Sequence, residues 1–234
     1  MEIDILYEDG QLLVCRKPAG VPVQSGKVGQ KDMVSILRNY RNGKEDDIYI
    51  GLVHRLDQPV QGVMVFAKTK TAAAELSRQI ADGRMKKQYL AVICGKPTRK
   101  QGVLVDYLLK DGRTNTSSIV PEGTKGAKRA ELRYRIAAEA AGYALAEIDL
   151  LTGRHHQIRV QMAGAGMPLA GDRKYNSSEE GQTEKYAALA AHKLSFVHPV
   201  SKKEICFGVK PESAIFEKFL NLPEGKDFCK NLTE

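Results

Sequence analysis

Two charged segments contain the residues most able to do chemistry in this chain. The first, His54-Arg55-Leu56-Asp57, sets a carboxylate beside an imidazole and a guanidinium. The second, Thr152 to Arg159, contains two arginines, two histidines and a glutamine. Carboxylates and imidazoles transfer protons, and guanidinium groups bind anions. Taken alone, the first segment is explained equally well by a surface Arg-Asp ion pair, which contributes about 0 to 1 kcal/mol.

A metal site is a second interpretation of the same segments. Its ligands would come from His54, Asp57, His155 and His156. The sequence has neither an HExxH helix nor a cluster of carboxylates, which are the usual signs of such a site. We therefore expect no metal ion, and we expect the histidines to hydrogen-bond the backbone or a bound partner.

The pattern around the first segment predicts a loop between two strands. Apolar runs at Leu52-Val53 and at Val63 to Ala67 flank it. Pro59 and Gly62 lie between these runs, and such residues are excluded from a regular central strand. The segment from His54 to Asp57 should therefore face solvent or a substrate.

The second segment should lead from a strand into a helix. Tyr143 to Leu151 has the composition of a strand, and a helix is predicted within His156 to Ala165, ending before Pro168. His155 and Arg159 are four residues apart, so on a helix they would share one face.

The rest of the chain alternates strands with a few helices. Further strands are predicted at residues 5–7, 12–15, 88–94, 103–109, 131–138, 194–197 and 204–209, and helices at residues 33–40, 71–80 and 213–222. No internal repeat or linker is evident, so we predict a single α+β domain over residues 1–234. Its central sheet should be mostly antiparallel and flanked by helices and loops. The basic stretch Gly123 to Arg129 is predicted to be a mobile loop.

Composition indicates the class of partner. The chain has 234 residues, a formal net charge of +8 and a pI near 9.2. Such a charge attracts polyanions, so nucleic acid is the leading partner class, although a solvated basic face fits the charge as well. The chain start lacks a secretory signal, no apolar run has membrane-spanning length, and the four cysteines are scattered. We expect a cytoplasmic protein with reduced cysteines and no membrane partner.

Taken together, the motifs resemble the RluA-type RNA pseudouridine synthases over nearly the whole chain. The matching blocks follow the family order: Leu6 to Asp9 with Leu13-Val14 and Lys17 to Gly20, Gly51 to Asp57, Val63 to Lys68, Lys87 to Ala91 with Gly95, Gly153 to Val160, Gly171-Asp172 with Tyr175, and Leu194 to Phe196 with His198-Pro199. Their shared order and spacing form a specific signature, although each block alone is weak. The resemblance implies a pseudouridine-synthase-like fold, a structured ribosomal or transfer RNA as substrate, and no metal or organic cofactor.

The resemblance also assigns catalytic roles. It implies that Asp57 is the essential carboxylate, which attacks the ribose C1′ or ring carbon 6, or assists departure of the base. Arg159 matches the arginine that pairs with this aspartate, and Tyr89 matches the tyrosine that stacks on the uracil. Arg55 resembles the residue that fills the space left by the flipped nucleotide. The alternative role for Arg55 is a phosphate contact, and for Arg159 it is a phosphate contact or a structural ion pair. The alternative for Tyr89 is core or edge packing of its strand.

RNA contacts are expected from the motifs and from basic loops. The motif residues are His54, Arg55, Arg154, His155, Gln157 and Lys17, and the loop residues are Lys27, Lys31, Arg38, Arg41, Lys125, Lys128 and Arg129. The first predicted strand begins close to Met1, so we expect a compact form without the N-terminal accessory RNA-binding domain that many relatives carry. RNA binding would then fall to the catalytic domain of a monomer.

One departure from the family pattern follows Asp57. The family commonly continues with two variable residues and then Thr-Ser-Gly, whereas this chain reads Gln58-Pro59-Val60-Gln61-Gly62 and keeps only the glycine. The loss of two hydroxyls changes the hydrogen bonds of the loop. It motivates an alternative function, an RNA-binding or chaperone protein on the same scaffold that no longer catalyses.

Overall fold

The computed structural model describes residues 3–27, 29–42, 48–178 and 184–220, and these ranges contain eleven strands and four helices. The strands are β1 (Ile5–Glu8), β2 (Leu12–Lys17), β3 (Gly51–Leu52), β4 (Gln61–Ala67), β5 (Lys86–Cys94), β6 (Gln101–Asp111), β7 (Thr116–Val120), β8 (Lys128–Ala140), β9 (Tyr143–Leu150), β10 (Leu189–Val197) and β11 (Glu204–Gly208). The helices are α1 (Met33–Arg41), α2 (Lys70–Ala81), α3 (Gln157–Gly164) and α4 (Ala214–Leu220). The predicted α+β class is confirmed. The predicted end of the last helix, Leu222, lies outside the described residues.

The chain forms two compact units, and the first comprises the described residues up to Lys86 together with Ala191–Lys210. Its strands follow the order β1-β2-β4-β10, with β3 beside β4 and β11 beside β10. Alternate residues of a strand share a face, so Val14 of β2 and Val65 of β4 lie on the side that packs against Leu76 of α2. The loop between β3 and β4 is therefore attached to strands whose apolar side chains are buried against α2.

The capped start of α1 shows how sequence and local structure agree in this unit. Asp32 precedes the helix with extended dihedral angles, and its carboxylate accepts the backbone N–H of Ser35 at 2.7 Å. The Ser35 hydroxyl oxygen accepts the backbone N–H of Asp32 at 3.0 Å, which completes a capping box. A second carboxylate oxygen of Asp32 accepts the backbone N–H of Ser25 at 2.7 Å. The cap therefore fixes the helix start and the preceding loop together.

The second unit comprises Lys87–Ala190 and the described residues from Pro211 onward. Its strands follow the order β5-β9-β8-β6-β7, and each neighbouring pair is antiparallel. Ala141 and Gly142 have positive φ angles of 50° and 80°, as the short turn between β8 and β9 requires. Val92 of β5 and Leu145 of β9 belong to the same buried cluster as Phe216 of α4.

One strand was missed, and one predicted loop was too long. β7 pairs with β6 from Tyr107↔Val120 to Asp111↔Thr116, but its Thr-Ser-Ser-Ile-Val sequence lacks a clear alternation of apolar and polar residues. The basic loop was predicted to reach Arg129, yet Lys128 and Arg129 already belong to β8. Both differences arise because β7 and the start of β8 pair with β6, and local composition does not predict these backbone hydrogen bonds.

No helix in the described part of the chain is long and apolar enough to cross a membrane.

Candidate active site

Asp57 lies on the loop between β3 and β4 in the first unit, as the sequence predicts. Leu56 and Val60 are only 6% and 2% exposed and anchor the loop on both sides of it. The backbone N–H of Val60 donates to the carbonyl oxygen of Asp57 at 3.0 Å and closes a tight turn. The Asp57 residue itself is half-buried. Its carboxylate is therefore carried on a backbone that these contacts hold in place.

A buried lysine ties this loop to β2. Lys17 is completely buried, and its Nζ donates to the carbonyl oxygens of Pro18 at 2.9 Å, Gln58 at 3.1 Å and Val60 at 2.6 Å. Three acceptors match the three N–H groups of an ammonium. Burial lowers the pKa of Lys17 to about 7, and the negative charge of Asp57 opposes that shift. The RNA contact expected of Lys17 does not fit this geometry, because its donors are already used to position the loop of Asp57.

Two hydrogen bonds between Gln58 and Gly20 hold the loop in which this chain departs from the family pattern. The Gly20 N–H donates to the Gln58 carbonyl at 2.8 Å, and the Gln58 side-chain amide donates back to the Gly20 carbonyl at 2.9 Å. Gly62, the residue that the pattern keeps, has a φ of +133°, and a Cβ there would lie 2.3 Å from the Ala191 carbonyl oxygen. The loop thus needs a glycine at this position but holds its shape without the two family hydroxyls.

His54 and Arg55 differ in their surroundings. The His54 Nε2 accepts the backbone N–H of Val65 at 3.2 Å. Since a backbone N–H only donates, the proton of a neutral His54 ring lies on Nδ1. The His54 side chain is therefore hydrogen-bonded to the backbone of β4, whereas the Arg55 side chain is exposed and available to a substrate.

In the second unit, Arg159 is buried and bound to Asp172. The Arg159 Nε lies 2.7 Å from Oδ2 of Asp172, and its Nη2 lies 2.6 Å from Oδ1. Arg159 is 4% exposed, and its guanidinium lies 5.1 Å from the centre of the Tyr175 ring. Sequence reasoning placed Asp172 and Tyr175 in a family block but assigned them no role. The signal for a role was weak, because the ion pair joins a residue of α3 to a loop residue 13 positions further along the chain.

Tyr175 connects Arg159 to a neutral histidine. The Ser117 N–H donates to the Tyr175 hydroxyl oxygen at 2.8 Å, and the same hydroxyl is hydrogen-bonded to His156 Nδ1 at 2.7 Å. Burial, followed by the positive charge of Arg159, lowers the pKa of His156 to about 2. His156 is thus uncharged at physiological pH. It precedes α3 with a φ of 54° and makes no side-chain cap hydrogen bond.

The expected RNA-binding residues of the second unit divide into buried and exposed groups. Gln157 is 3% exposed, and its side-chain amide bonds Thr152, the Arg154 N–H, the Glu131 carbonyl and Gln161. This saturates the amide, so the RNA contact expected of Gln157 does not fit the structure. By contrast, the following residues are exposed: Arg154, Lys128, Arg129 and Lys125. His155 is half-buried, with its ring stacked on His156 at 3.8 Å between centroids.

Two further residues that the sequence analysis placed in contact with the substrate or RNA, Tyr89 and Arg41, are also buried. Tyr89 lies in β5 opposite Ile148 of β9 and is 6% exposed, so the described structure gives it a packed ring. Arg41 is 1% exposed and donates to the Tyr49 carbonyl at 3.2 Å, which makes it a structural residue of the first unit. The remaining basic residues of that unit expected to contact RNA are exposed: Lys27, Lys31 and Arg38.

Comparison with solved structures places the fold in a class. A human protein, RNA pseudouridylate synthase domain containing 4, matches with a TM-score of 0.76 at 23% identity, covering 95% of this chain and 93% of that one. A second human protein, RNA pseudouridylate synthase domain containing 1, matches with a TM-score of 0.74 at 22% identity and covers 97% of this chain and 87% of its own. The chain therefore has a pseudouridine synthase fold.

Sequence comparison identifies the family. The model of the RNA pseudouridylate synthase family matches residues 11–164. The dual-specificity RNA pseudouridine synthase RluA of Escherichia coli is 34% identical over 207 residues, which are 87% of this chain and 90% of that protein. An uncharacterised RNA pseudouridine synthase of Synechocystis is 36% identical over 225 residues, 93% of this chain and 68% of its own length. The chain belongs to the RNA pseudouridylate synthase family and is an isomerase that converts uridine in RNA to pseudouridine.

Proposed function

We propose that the protein isomerises specific uridines in structured RNA, ribosomal or transfer, with Asp57 as the catalytic carboxylate. One observation carries this proposal: a half-buried Asp57 sits on a loop fixed by Leu56, Val60 and Lys17. The reaction needs an ionised carboxylate in a site of restricted water access, and a neighbouring cation favours the ionised form. Lys17 is a neighbouring basic group, and the negative charge of Asp57 favours its protonated form.

Base flipping completes the proposed mechanism. Arg55, which is exposed two residues before Asp57, fills the place of the extruded nucleotide, a step that costs a few kcal/mol in a paired helix. Tyr89 stacks on the uracil, a contact of about 1 to 3 kcal/mol per base. Arg159, which lies in the Gly153 to Val160 block of the family resemblance, is the third catalytic residue of this proposal.

RNA binding is assigned to exposed cations of the catalytic region. Arg154, Lys128 and Arg129 are exposed in the second unit, and Arg154 Nε donates to the Arg129 carbonyl at 2.9 Å, which keeps the Arg154 side chain beside the backbone of Arg129. Phosphate contacts of this kind predict that RNA affinity falls steeply with added salt. The protein is proposed to act in the cytoplasm as a monomer, with residues 1–234 forming one domain and without a cofactor.

Release of tritium from RNA labelled at carbon 5 of uridine tests the catalytic assignment. Wild-type protein treated with EDTA should release tritium, and Asp57→Asn should abolish the release. Asp149→Asn is the matched control, because Asp149 is an exposed aspartate on β9 and its loss should leave turnover within about threefold. Full turnover by Asp57→Asn would show that another group carries the reaction.

Pseudouridine mapping separates catalysis from RNA binding alone. The noncatalytic alternative predicts that gene deletion removes no pseudouridine from any cellular RNA. Our proposal predicts that at least one pseudouridine disappears on deletion and returns with the wild-type gene but not with Asp57→Asn. The same experiment identifies the RNA and the position.

A further inference from the structure

One face of the sheet in the second unit exposes apolar side chains. Val103 and Val105 of β6 are 54% and 47% exposed, and Leu151, which directly follows β9, is 45% exposed. They make up three of the five exposed large apolar side chains among the described residues. Val105 pairs with Glu131 of β8, whose carbonyl oxygen accepts the Leu151 N–H at 3.2 Å, so these residues are neighbours. Exposed apolar side chains that cluster in this way mark interaction surfaces.

This face points away from α3. Residues of one strand alternate between the two faces of a sheet, so Val103 and Val105 lie on the opposite side from Leu108. Leu108 belongs to the same buried cluster as Val160 of α3. A partner bound over the two valines would therefore leave α3, which contains Arg159, uncovered.

Charges of both signs lie beside the two valines. In the sheet register, Val103 is opposite Arg133 of β8, and Val105 is opposite Glu131. Glu131 forms an ion pair with Arg129 at 2.6 Å, whereas Arg133 is exposed and has no ion pair within the described part of the chain. We call Val103, Val105, Glu131 and Arg133 the valine face.

The composition around the valine face favours a protein partner over RNA. Three arginines and three carboxylates lie on this side of β8 and β9: Arg129, Arg133, Arg135, Glu131, Glu147 and Asp149. A phosphate backbone is bound by an excess of cations, which this side of the sheet does not have. Protein interfaces combine apolar side chains with arginines and with charges of complementary sign.

The valine face is complementary to itself. In a twofold dimer, every contact between two different residues occurs twice. A twofold axis that crosses the strands midway between Val103 and Val105 places Val103 of one copy over Val105 of the other. Because Arg133 and Glu131 stand in the same two rows, this axis also places Arg133 over Glu131 of the second copy. The exposed arginine thus gains a carboxylate, and the valines lose contact with water.

We propose that a second copy of this chain binds to the valine face, with Val103 on Val105 and Arg133 on Glu131. The inference goes beyond the proposed function. The monomer remains the unit that catalyses, because α3 packs on the other face of this sheet. Few side chains take part, so the association should be weak, with a dissociation constant on the order of 1 to 100 µM.

Sedimentation velocity of the full chain over a concentration series gives the dimer dissociation constant. Wild type should pass from monomer to dimer across about 1 to 100 µM. Arg133→Glu sets like charges against each other twice, so it should raise the dissociation constant at least about tenfold, and Glu131→Arg should do the same. The double reversal restores opposite charges and should return the constant to within about threefold of wild type.

Threonine substitutions test the apolar contact. Threonine is β-branched like valine and favours strands, so Val103→Thr with Val105→Thr should fold while the dimer dissociation constant rises at least about tenfold. Val200→Thr is the matched control, since Val200 is 64% exposed and lies in the first unit. Arg113→Glu is the control for charge, because the Arg113 side chain is 95% exposed beyond the end of β6. Both controls should associate like wild type.

Several results would overturn the inference. They are a wild type that stays monomeric at about 100 µM, a dimer that survives both Arg133→Glu and the threonine variant, and a double reversal that does not restore association. The RNA dissociation constant and the tritium release per chain should stay within about threefold of wild type in Arg133→Glu. A loss of RNA affinity with unchanged association would instead assign the valine face to RNA. Failure of the proposed function is a separate result, because wild type would then release no tritium at any concentration.

Discussion

Replacing Lys17 with methionine tests whether the buried ammonium positions the loop of Asp57. Methionine has a similar length and no charge, so the packing volume is nearly kept while three donors are lost. The affected acceptors are the carbonyl oxygens of Pro18, Gln58 and Val60. Two of these belong to the turn that follows Asp57 directly, so the change acts on the backbone that carries the carboxylate.

The expected change in stability is modest because two large contributions oppose each other. Hydrogen bonds to a charged group contribute about 1.5 to 3 kcal/mol each, so the three bonds together contribute about 5 to 9 kcal/mol. Lowering the pKa of Lys17 by burial, to about 7, corresponds to about 5 kcal/mol of unfavourable desolvation at neutral pH. Removing both contributions should lower the free energy of unfolding by about 0 to 4 kcal/mol.

The expected change in turnover is larger. The turn from Asp57 to Val60 loses its cationic anchor, and a shift of about 1 Å in the carboxylate should lower kcat on the order of 100-fold. RNA affinity should stay within about threefold, since Lys17 is completely buried. Urea unfolding gives the free energy, tritium release gives kcat, and filter binding gives the RNA dissociation constant.

Lys68→Met is the matched control in the same unit. Lys68 also has a nearly buried side chain, and it donates to the Glu8 carboxylate at 3.0 Å and the Asp9 carbonyl at 2.6 Å, two acceptors outside the Asp57 loop. It should lose stability and keep kcat. A folded Lys17→Met variant with unchanged kcat would refute the positioning role. A selective loss of RNA affinity would instead support the direct contact between Lys17 and RNA that the sequence predicts.

Two further predictions concern the stability of the first unit. Gly62→Ala should lower the free energy of unfolding by about 2 to 5 kcal/mol in urea titration, because the new Cβ meets the Ala191 carbonyl and φ is +133°. Gly83→Ala, where φ is +74° and no atom lies within 4 Å, should cost no more than about 1 to 2 kcal/mol, and equal losses would contradict the steric explanation. Asp32→Ala should cost about 0.5 to 2 kcal/mol near neutral pH through loss of the α1 cap. Burial opposes ionisation of Asp32, but hydrogen bonds from backbone N–H groups and a serine outweigh it and lower its pKa, so this cost should be fully present above the ordinary carboxyl pKa of 3.8 and shrink as the pH falls below it. A cost independent of pH would show that the carboxylate charge does not support the cap.

Local patterns predicted the elements that carry the site. The apolar runs on either side of His54 to Asp57, interrupted by Pro59, were sufficient to place a loop between two strands, and this placement is confirmed. The cap at Asp32 and the turn at Ala141-Gly142 are local in the same way, since their hydrogen bonds and dihedral angles depend on residues nearby in the sequence. β7 could not be predicted from the sequence, because hydrogen bonds to its partner strand β6 stabilise it.

The sequence by itself determined the family and the class of fold, because these depend on residue types and spacing. Only the tertiary structure decided what several charged residues do. Lys17 and Gln157 look like RNA ligands in the sequence, but burial and saturated hydrogen bonds make them supports of the backbone. Asp172 carried no signal of its own, yet folding brings it against Arg159. The physical reason is that the free energy of a charge depends on its distance from water and from its counter-charge, and both are set by contacts between residues far apart in sequence.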